Sequence, residues 1–256
     1  MQKSSPIVAM TAGGPHAWIM INALRAQFGD FPVILEDPEP QDLFWARRKR
    51  LLGPLKVASM QAARIPIKLA KRGTDATIQR MITDYGLQPD RPADLQPIKV
   101  PSVNSLAAQA ALTEADPRAV FVISTRMIGK RTLQTTNAPF INYHSGFNPL
   151  YRGMFGGYFA LANGEPEYFG ATVHLVDQGV DTGDILYQSR VKVYPEDNFH
   201  TYLWRLAAGS QAIVINAIDD ALKSKLRPYT LDLPSKQYFA PTLGGYLWTG
   251  LNKGVW

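Results

Sequence analysis

An asparagine and a histidine stand two positions apart in the stretch "INYHSGFNPLYRGMFGGY", at the end of an apolar run and directly before a loop rich in turn formers. If the run is a strand, Asn142 and His144 leave the same face and can meet one ligand. A histidine titrates near neutral pH and can donate a proton, and a carboxamide can donate to a developing oxyanion. A hydrogen-bonded core histidine gives the same local pattern, so this pair alone does not identify a site.

Three aspartates, Asp177, Asp181 and Asp184, flank the glycines of a second stretch, "HLVDQGVDTGDIL". A carboxylate beside an imidazole can orient the ring, stabilise its charged form, or relay a proton through water. An aspartate in a glycine turn is also an ordinary turn former, so both interpretations stay open. His174 lies on the strand before this turn, and we expect it to pack rather than to react.

The chain contains no cysteine. Disulfides, thiolate zinc sites and cysteine nucleophiles are therefore excluded. A metal site built from His144, His174 and an aspartate is possible in principle, but these residues lack the short sequence spacing that is typical of metal ligands. We accordingly predict a site that works without a metal ion.

The apolar runs of the chain alternate with helical patterns, as expected for an α/β fold. Continuous apolar runs such as "RAVFVIST" are typical of strands buried on both faces of a parallel sheet. The predicted strands are "PIVAMTAGG", which ends in a glycine turn, "FPVILEDP", "IKVPSV", "RAVFVIST", "APFINYH", "GATVHLV" and "GDILYQSRVKVYP", the last two being antiparallel neighbours. We predict a Rossmann-like, mostly parallel sheet covered by helices, in which Asn142 and His144 lie at the carboxyl end of a strand, where ligands bind.

Helical patterns fill most of the segments between the predicted strands. Residues 41–88 are expected to form helices punctuated by the dipeptides "GP" and "IP", because proline is disfavoured inside a helix and restricts its predecessor. The pattern "GGYFALANGEP" is expected to end at its "NG" stop signal. Residues 198–226 are expected to form one long amphipathic helix with Asp197 or Asn198 as its N-cap.

The first predicted strand leads into a glycine turn, "TAGGPH", and then into a helix. Many nucleotide-binding folds open in this way, with backbone N–H groups and the helix N-terminus facing the ligand. The G-x-G-x-x-G fingerprint is absent, so dinucleotide binding is not supported, and Gly13 and Gly14 also fit a simple tight turn.

The length and composition of the chain fit one α/β domain with an appendage. We predict a core over residues 1–226 and an extension rich in Pro, Gly and aromatic residues over residues 227–256. The start, "MQKSSPIVAM", has an apolar run too short for a signal peptide, and no run reaches the roughly 18 apolar residues of a membrane span. We therefore expect a cytoplasmic protein.

The net charge of +6 is concentrated in one region. Between Leu43 and Thr74 lie nine basic residues and no acidic one, namely Arg47, Arg48, Lys49, Arg50, Lys56, Arg64, Lys68, Lys71 and Arg72. Such a region is typical of a patch that faces a phosphorylated or nucleotide-linked substrate, a nucleic acid, or an anionic membrane. It also fits a solvated helical face whose lysine and arginine stems cover apolar surface.

The run "INYHSGFNPLYRG" followed by "GATVHLVDQGVDTGDIL" closely resembles the formyltransferases that use 10-formyltetrahydrofolate. The shared pattern is an Asn-x-His strand end, a Pro and Gly loop, a G-x-T-x-H strand and a D-x-G-x-D-[TG]-G turn, and the resemblance covers roughly residues 98–222. By matching position, it implies that Asn142, His144 and Asp181 form a catalytic trio. It also implies 10-formyltetrahydrofolate as co-substrate and no metal.

The resemblance implies binding residues as well, although "GFNP" stands where the family often has Ser-Leu-Leu-Pro. The implied cofactor-binding residues are Arg126, Met127, Ile128, Gly146, Phe147, Asn148, Pro149 and Asp177. The implied acceptor-binding residues are Gly13, Gly14, Tyr151 and Arg152, and Arg152 together with the basic region would suit a diphosphate.

Acyl transfer in this family implies a role for each member of the trio. An uncharged amine attacks the formyl carbon, and negative charge develops on the former carbonyl oxygen. Asn142 and a protonated His144 would stabilise that charge. Asp181 would hold the imidazole and accept, directly or through water, the proton that the amine loses.

Family members differ mainly in the amine they use. "TAGGPHA" lacks the Ser-Asn part of the phosphate-binding loop of purine-pathway enzymes. Only a short tail follows the core, whereas enzymes acting on initiator methionyl-tRNA usually carry a further domain of about a hundred residues. We also expect this protein to differ from formyltetrahydrofolate hydrolases, which carry an amino-terminal regulatory domain.

The layout therefore resembles the homodimeric sugar N-formyltransferases of surface polysaccharide biosynthesis, which act on nucleotide-linked amino sugars and not on nucleic acid. The alternatives are glycinamide ribonucleotide, a siderophore hydroxylamine or methionyl-tRNA as acceptor, or a non-catalytic binding protein whose basic helices lie on an anionic membrane.

Overall fold

The structure is a computed structural model that describes residues 6–71 and 73–256. The first five residues of the amino-terminal stretch and Arg72 of the basic region lie outside the described residues. Over the ranges that are described, no helix is both long and apolar enough to cross a membrane.

Nine strands are present in the described part of the chain. They are β1 (Ile7–Thr11), β2 (Val33–Glu36), β3 (Ile98–Val100), β4 (Ala119–Ile123), β5 (Phe140–His144), β6 (Arg152–Gly153), β7 (Gly170–Leu175), β8 (Ile185–Arg190) and β9 (Gln237–Tyr238). Seven form one sheet in the order β3-β2-β1-β4-β5-β7-β8, and β6 pairs with β9 in a small second sheet. The strands from β3 to β5 are parallel, whereas β7 and β8 are antiparallel. The predicted Rossmann-like, mostly parallel sheet is confirmed.

Helices cover both faces of the large sheet. They are α1 (Pro15–Phe28), α2 (Gln41–Leu52), α3 (Pro54–Leu69), α4 (Thr74–Tyr85), α5 (Leu106–Ala115), α6 (Lys130–Leu133), α7 (Gly156–Asn163), α8 (Tyr202–Ala208), α9 (Gln211–Leu222) and α10 (Leu243–Lys253). On β1, Ile7 and Ala9 join one hydrophobic cluster with α1 and α9, and Val8 and Met10 join another with α5. Both faces of this central strand are therefore buried, which is why it appears in the sequence as a continuous apolar run.

The prediction of one long helix over residues 198–226 is wrong, because the chain breaks between α8 and α9 at Gly209 and Ser210. A Cβ at Gly209 would lie 2.8 Å from both Val191 Cγ atoms, so this turn packs closely against the chain that follows β8. The buried Ser210 hydroxyl lies 2.7 Å from that of Ser189 on β8. Packing against the sheet thus overrides the local helical pattern.

The predicted N-cap is also wrong, since α8 begins after Thr201. Asp197 instead forms a buried, two-point ion pair with Arg205, with N–O distances of 2.9 and 3.0 Å. Loss of one partner from such a pair leaves an uncompensated buried charge. Asp197 and Arg205 therefore fasten α8 to the loop before it.

The two prolines expected to punctuate residues 41–88 behave differently. Pro54 begins α3, and Gly53 before it has a φ of 83°, as the "GP" prediction requires. Pro66 lies inside α3, which continues to Leu69, so the predicted break at "IP" is wrong. An interior proline removes the single hydrogen bond to the carbonyl four residues earlier, here that of Ala62, and α3 continues for about one turn beyond Pro66 despite this loss.

The segment 227–256 packs on the rest of the molecule through β9 and α10. Tyr246 of α10 is fully buried, and its ring centroid lies 6.2, 6.0 and 5.8 Å from those of Tyr158, Phe199 and Trp256. Its hydroxyl has no hydrogen-bond partner among the described residues. Burial raises the pKa of Tyr246 to about 12. The role of this segment in dimerisation stays a prediction.

Tyr246 provides a matched pair of stability tests. We expect Tyr246→Ala to lower the free energy of unfolding by about 3 to 5 kcal/mol, the range for removing a large buried aromatic ring. Tyr246→Phe should leave stability unchanged or slightly raised, because it removes only a buried hydroxyl without a partner. Urea unfolding measures both values, and a loss of stability in Tyr246→Phe comparable to that in Tyr246→Ala would contradict the expectation.

Candidate active site

The structure brings together the three residues predicted to form a catalytic trio. Asn142 and His144 lie on β5, and Asp181 lies in the loop between β7 and β8. Asp181 Oδ2 is 3.5 Å from His144 Nδ1, and Asp181 Oδ1 is 3.4 Å from Asn142 Nδ2. Residues that are almost forty positions apart in the chain thus meet at the carboxyl end of β5.

A fourth polar residue, His174, belongs to this cluster. It lies opposite Asn142 in the β5–β7 pairing, and its Nε2 is 3.0 Å from Asn142 Nδ2 and 3.4 Å from Asp181 Oδ1. The ring is buried, but packing is only part of its role, because it contacts two members of the trio. The sequence shows the alternation along β7, whereas the register that places His174 beside Asn142 depends on strand pairing.

Backbone carbonyls determine where the two imidazoles carry their protons. His144 Nε2 is 2.7 Å from the Tyr151 carbonyl, and His174 Nδ1 is 2.8 Å from the Leu175 carbonyl. A carbonyl oxygen only accepts, so both of these ring nitrogens must be donors. Two ring nitrogens are left that can gain or lose a proton: His144 Nδ1, which faces Asp181 Oδ2, and His174 Nε2, which lies beside Asn142 Nδ2 and Asp181 Oδ1.

Asp181 is ionised because its partners outweigh the effect of burial. Burial by itself would raise the pKa of its carboxyl, but the charge of His144, the hydrogen bond to and charge of His174, and the Gly153 N–H hold this pKa well below its usual range. The Gly153 N–H donates to Oδ2 over 2.9 Å. A carboxylate with such a low pKa is a weak base and a strong stabiliser of a charged imidazole beside it.

The loop that carries Asp181 is held by three side chains predicted to bind ligands. Asn148 Nδ2 donates to the Asp181 carbonyl (3.1 Å), and Arg152 Nη1 donates to the Val180 carbonyl (2.7 Å). Asp177 accepts from the Gly179 N–H (2.9 Å) and from the Thr182 hydroxyl. Asp181 itself has a φ of 51°, a left-handed conformation that is uncommon outside glycine. These contacts therefore stabilise the loop in the shape that the trio needs.

Gly146 leaves the space that the His144 ring occupies. A Cβ at this position would lie 2.3 Å from the Tyr151 carbonyl oxygen and 2.4 Å from His144 Nε2. Any side chain here would displace either the ring or its hydrogen-bond acceptor. The glycine after the predicted catalytic histidine is thus explained by packing within the protein.

A cleft of about 880 Å³ opens at the trio and at His174. Of the predicted binding residues, Arg126, Met127, Ile128 and Asp177 line it. The residues that do not line it are Gly13, Gly14, Gly146, Phe147, Asn148, Pro149, Tyr151 and Arg152.

Most of these residues lie behind the cleft wall. Phe147 and Tyr151 are buried, and the Tyr151 hydroxyl donates to Glu165. Arg152, predicted to suit a diphosphate, is already engaged by the Val180 carbonyl and the Ser235 hydroxyl. Gly13 and Gly14 stand between Ala12 and His16, both of which line the cleft.

Glu36 is a buried lining residue that the sequence analysis missed. It ends β2, and its carboxylate accepts from the Arg126 N–H (2.6 Å) and the Val103 N–H (3.1 Å). The Arg126 guanidinium donates to the Pro101 and Asp37 carbonyls. Glu36 and Arg126 thus tie together the loops after β2, β3 and β4. The sequence feature that could have identified Glu36 is its position as an acidic residue at the end of the apolar run "VILE".

His16 also lines the cleft, which places it beside the ligand site. Its Nε2 is 2.7 Å from the Ser124 hydroxyl, and Ser124 has a φ of 56°. Burial lowers the pKa of His16, so its ring is neutral at pH 7.

Among the residues that the structure describes, no group of three or more His, Asp or Glu side chains is arranged to hold a metal.

The sequence matches the family model described as formyl transferase over residues 58–218, which is more than half of the chain. A methionyl-tRNA formyltransferase from Thermodesulfovibrio yellowstonii is 28% identical over 160 residues, covering 55% of this chain and 52% of that protein. A second, from a Synechococcus species, is 30% identical over 176 residues, covering 61% and 54%. The match thus spans about half the length of these curated relatives.

Solved structures share the fold at low sequence identity. A 4-N formyltransferase from Francisella tularensis aligns with a TM-score of 0.56 and 17% identity, covering 94% of this chain and 77% of that one. Phosphoribosylglycinamide formyltransferase from Anaplasma phagocytophilum gives 0.57 and 16%, covering 91% and 98%. An N-formyltransferase from Helicobacter canadensis, in complex with folinic acid and dTDP-3-aminofucose, gives 0.51 and 15%, covering 91% and 70%.

The low pKa of Asp181 predicts a pH dependence of stability. A carboxyl group whose pKa is lower in the folded state stabilises the fold above its unfolded pKa of about 3.9, and this contribution disappears as pH falls through the folded value. Relative to Asp181→Asn, the wild type should be more stable by about 1 to 3 kcal/mol at neutral pH, and the difference should shrink below about pH 4. Urea unfolding at stepped pH measures it. A difference that stays constant down to pH 2 would refute the assigned ionisation.

Gly146→Ala tests the packing around His144. We expect the alanine to displace the imidazole, to change the His144 ring signals in NMR spectra, and to lower stability by about 1 to 3 kcal/mol through overpacking. Gly244→Ala is the matched control, because a Cβ there meets no atom within 4 Å. Unchanged His144 signals in Gly146→Ala would show that the ring has more room than the structure indicates.

Proposed function

Because this chain belongs to the formyl transferase family, we propose that it transfers a formyl group from 10-formyltetrahydrofolate to a primary amine. The observation that carries the proposal is the meeting of Asn142, His144 and Asp181 at the mouth of one cleft. A carboxamide, an imidazole and an ionised carboxylate are the groups that acyl transfer without a covalent enzyme intermediate requires.

The cleft fits a folate co-substrate. Its volume of about 880 Å³ lies within the usual range for ligand sites and leaves room for a flat ring system and an amine together. Arg126, Met127, Ile128 and Asp177 would hold the pterin, and the Arg126 Nε, which is buried without a partner among the described residues, lies in that wall. When bound, the folate supplies the activated formyl group. The support for this co-substrate comes from the family and from the folinic acid in the Helicobacter canadensis enzyme.

Each member of the trio has a role that follows from its contacts. The Asn142 amide and a protonated His144 Nδ1 stabilise negative charge on the former carbonyl oxygen. Asp181 orients the imidazole and stabilises its charged form, and the low pKa of its carboxyl makes it a poor acceptor of the amine proton. We therefore revise the predicted role of Asp181, and we assign proton transfer to His144 Nδ1.

The protons balance through this one nitrogen. His144 Nδ1 gives its proton to the leaving nitrogen as the C–N bond to the formyl carbon breaks. The new C–N bond to the amine has formed before this step, so on collapse the same nitrogen takes up the proton that the attached amine loses, and the imidazolium is regenerated. Because His144 Nε2 remains bound to the Tyr151 carbonyl throughout, the ring holds its orientation during both transfers.

We propose that the acceptor is a nucleotide-linked amino sugar, as in the biosynthesis of surface polysaccharide such as O-antigen. We also propose that the enzyme is a cytoplasmic homodimer. Support comes from the sugar nucleotide in the Helicobacter canadensis complex and from a basic cavity beside the trio, described below. The curated sequence relatives act on methionyl-tRNA, and one structural relative acts on phosphoribosylglycinamide, so these two acceptors are the rivals to test.

Substitutions within the trio test the proposed function. We expect His144→Ala and Asn142→Ala each to lower turnover about 10²- to 10³-fold, the usual effect of removing one oxyanion donor. Folinic acid binding, measured by calorimetry, should persist in His144→Ala because the pterin walls are intact. Turnover is followed as release of tetrahydrofolate with a panel of nucleotide-linked 3-amino and 4-amino sugars.

Asp181→Asn has its own matched control in the same loop. It should remove most turnover, because the amide cannot stabilise a charged His144. Asp184→Asn should retain near wild-type turnover, since the Asp184 side chain is exposed. Near wild-type turnover in Asp181→Asn would overturn the assigned role, and failure of the wild type to bind folinic acid would overturn the proposed function.

A further inference from the structure

A second cavity, of about 490 Å³, opens beside the catalytic cleft. Its walls come from α2, α3, the chain between β6 and α7, the loop before α8, and residues 239–241. We call it the basic chamber, because Arg48, Arg64, Lys68 and Lys71 line it. No aspartate or glutamate stands among its described lining residues.

The four cations of the basic chamber have no carboxylate partner. Over residues 6–71 and 73–256, none of them forms an ion pair within 4 Å, whereas the neighbouring Arg47 pairs with Glu39. Burial, and then the charge of Arg47, lower the pKa of Arg48, and the charge of Glu39 only partly offsets them. Several unpaired cations around one cavity favour a ligand with more than one negative charge.

Aromatic rings line another part of the chamber wall. Phe44, Trp45, Phe199 and Phe239 line it, and all four are only half buried, so part of each ring is free to contact a ligand. The Arg48 guanidinium lies over the rings of Phe44 and Phe239, at 5.1 and 4.7 Å from their centroids. Cations next to exposed rings can bind a phosphate and a stacked base together.

The chamber is continuous with the catalytic cleft. Phe44, Arg48, Met154 and Phe155 line both cavities. Met154 follows Gly153, whose N–H donates to Asp181 Oδ2. A ligand that passes Arg48 can therefore have one end in the basic chamber and the other at the trio.

From this arrangement we infer that the basic chamber binds the nucleoside diphosphate part of the acceptor. The diphosphate lies against Arg48, Arg64, Lys68 and Lys71, and the base lies against the aromatic wall. The inference rests on the proposed function, and it gives the anion-binding role predicted for Arg152 to residues of α2, of α3 and of the segment that follows α3. A diphosphate could also belong to a lipid carrier, but the aromatic wall and limited volume favour a nucleoside.

Calorimetry of the full chain with UDP, dTDP and GDP tests the inference. We expect at least one of them to bind, and Arg64→Gln/Lys68→Gln to weaken that binding about tenfold to a hundredfold, as the loss of two charged contacts implies. Arg50→Gln/Lys56→Gln removes the same two charge types from α2 and α3 outside the chamber and should bind like the wild type. Equal weakening in both double variants would overturn the inference in favour of a general charge effect.

Binding of three further ligands distinguishes a nucleotide from a lipid carrier or a membrane as the source of the phosphate groups. Phe239→Leu should weaken nucleoside diphosphate binding and leave inorganic diphosphate binding unchanged, because only the former stacks on the ring. Tight binding of farnesyl diphosphate without nucleotide binding would overturn the inference in favour of a lipid carrier. Binding to vesicles of anionic lipid, lost in Arg64→Gln/Lys68→Gln while nucleotides fail to bind, would overturn it in favour of a membrane surface.

Folinic acid binding, measured on the same samples, separates this inference from the proposed function. All of these variants should bind folinic acid like the wild type, since none of the substituted residues lines the pterin wall. If folinic acid binds and no nucleoside diphosphate does, the inference fails and the formyltransferase stands. If nucleoside diphosphate binds in the chamber and folinic acid does not bind, the proposed function fails and the nucleotide site stands.

Discussion

The largely buried carboxylate of Asp181, whose side chain is 15% exposed, makes the contacts on which the rest of the site depends. Its two oxygens lie within 3.5 Å of His144, Asn142 and His174, and one accepts the Gly153 N–H. A charge removed from water is tolerated only when it is paired and hydrogen-bonded, so these groups stabilise Asp181 as much as it orients them. Since Asn142 and His144 come from β5 and Asp181 from a loop, the position of that loop against the sheet decides whether the site exists.

Side chains near the site serve the loop more than they serve a ligand. The loop that carries Asp181 is stabilised by hydrogen bonds with three side chains: Asn148 and Arg152 donate to its carbonyls, and Asp177 accepts from one of its N–H groups. The Tyr151 carbonyl fixes the tautomer of His144 from a position that a side-chain motif does not reveal. Preorganised polar groups avoid reorganisation during a reaction, and that is the physical value of these supporting contacts. Of the side chains that the family resemblance predicted to bind ligands, some line the cleft and others support the loop that carries Asp181.

Charge is distributed along the connected cavities in a way that suits a ligand with two ends. At the trio, the negative charge of Asp181 is balanced by imidazoles, so the reacting centre can hold a transient anion. In the basic chamber, Arg48 and its three companions form no ion pair within 4 Å among the described residues, which favours a permanent anion. Arg48 lies at the junction of the two cavities. The basic region of the chain, which lies mostly on α2 and α3, thus contributes to the same binding surface.

The sequence by itself determined the α/β class and most of the strands, because strand and helix periodicity are local patterns. The trio of Asn142, His144 and Asp181 was predicted from the family resemblance. Only the tertiary structure decided that His174 joins the trio, that Arg152 is engaged by the Asp181 loop, and that the helical pattern breaks at Gly209. Each of these depends on strand register or on close packing between segments far apart in the chain, which no local pattern records. The basic chamber has the same origin, since residues 239–241 meet α2 and α3 only after folding.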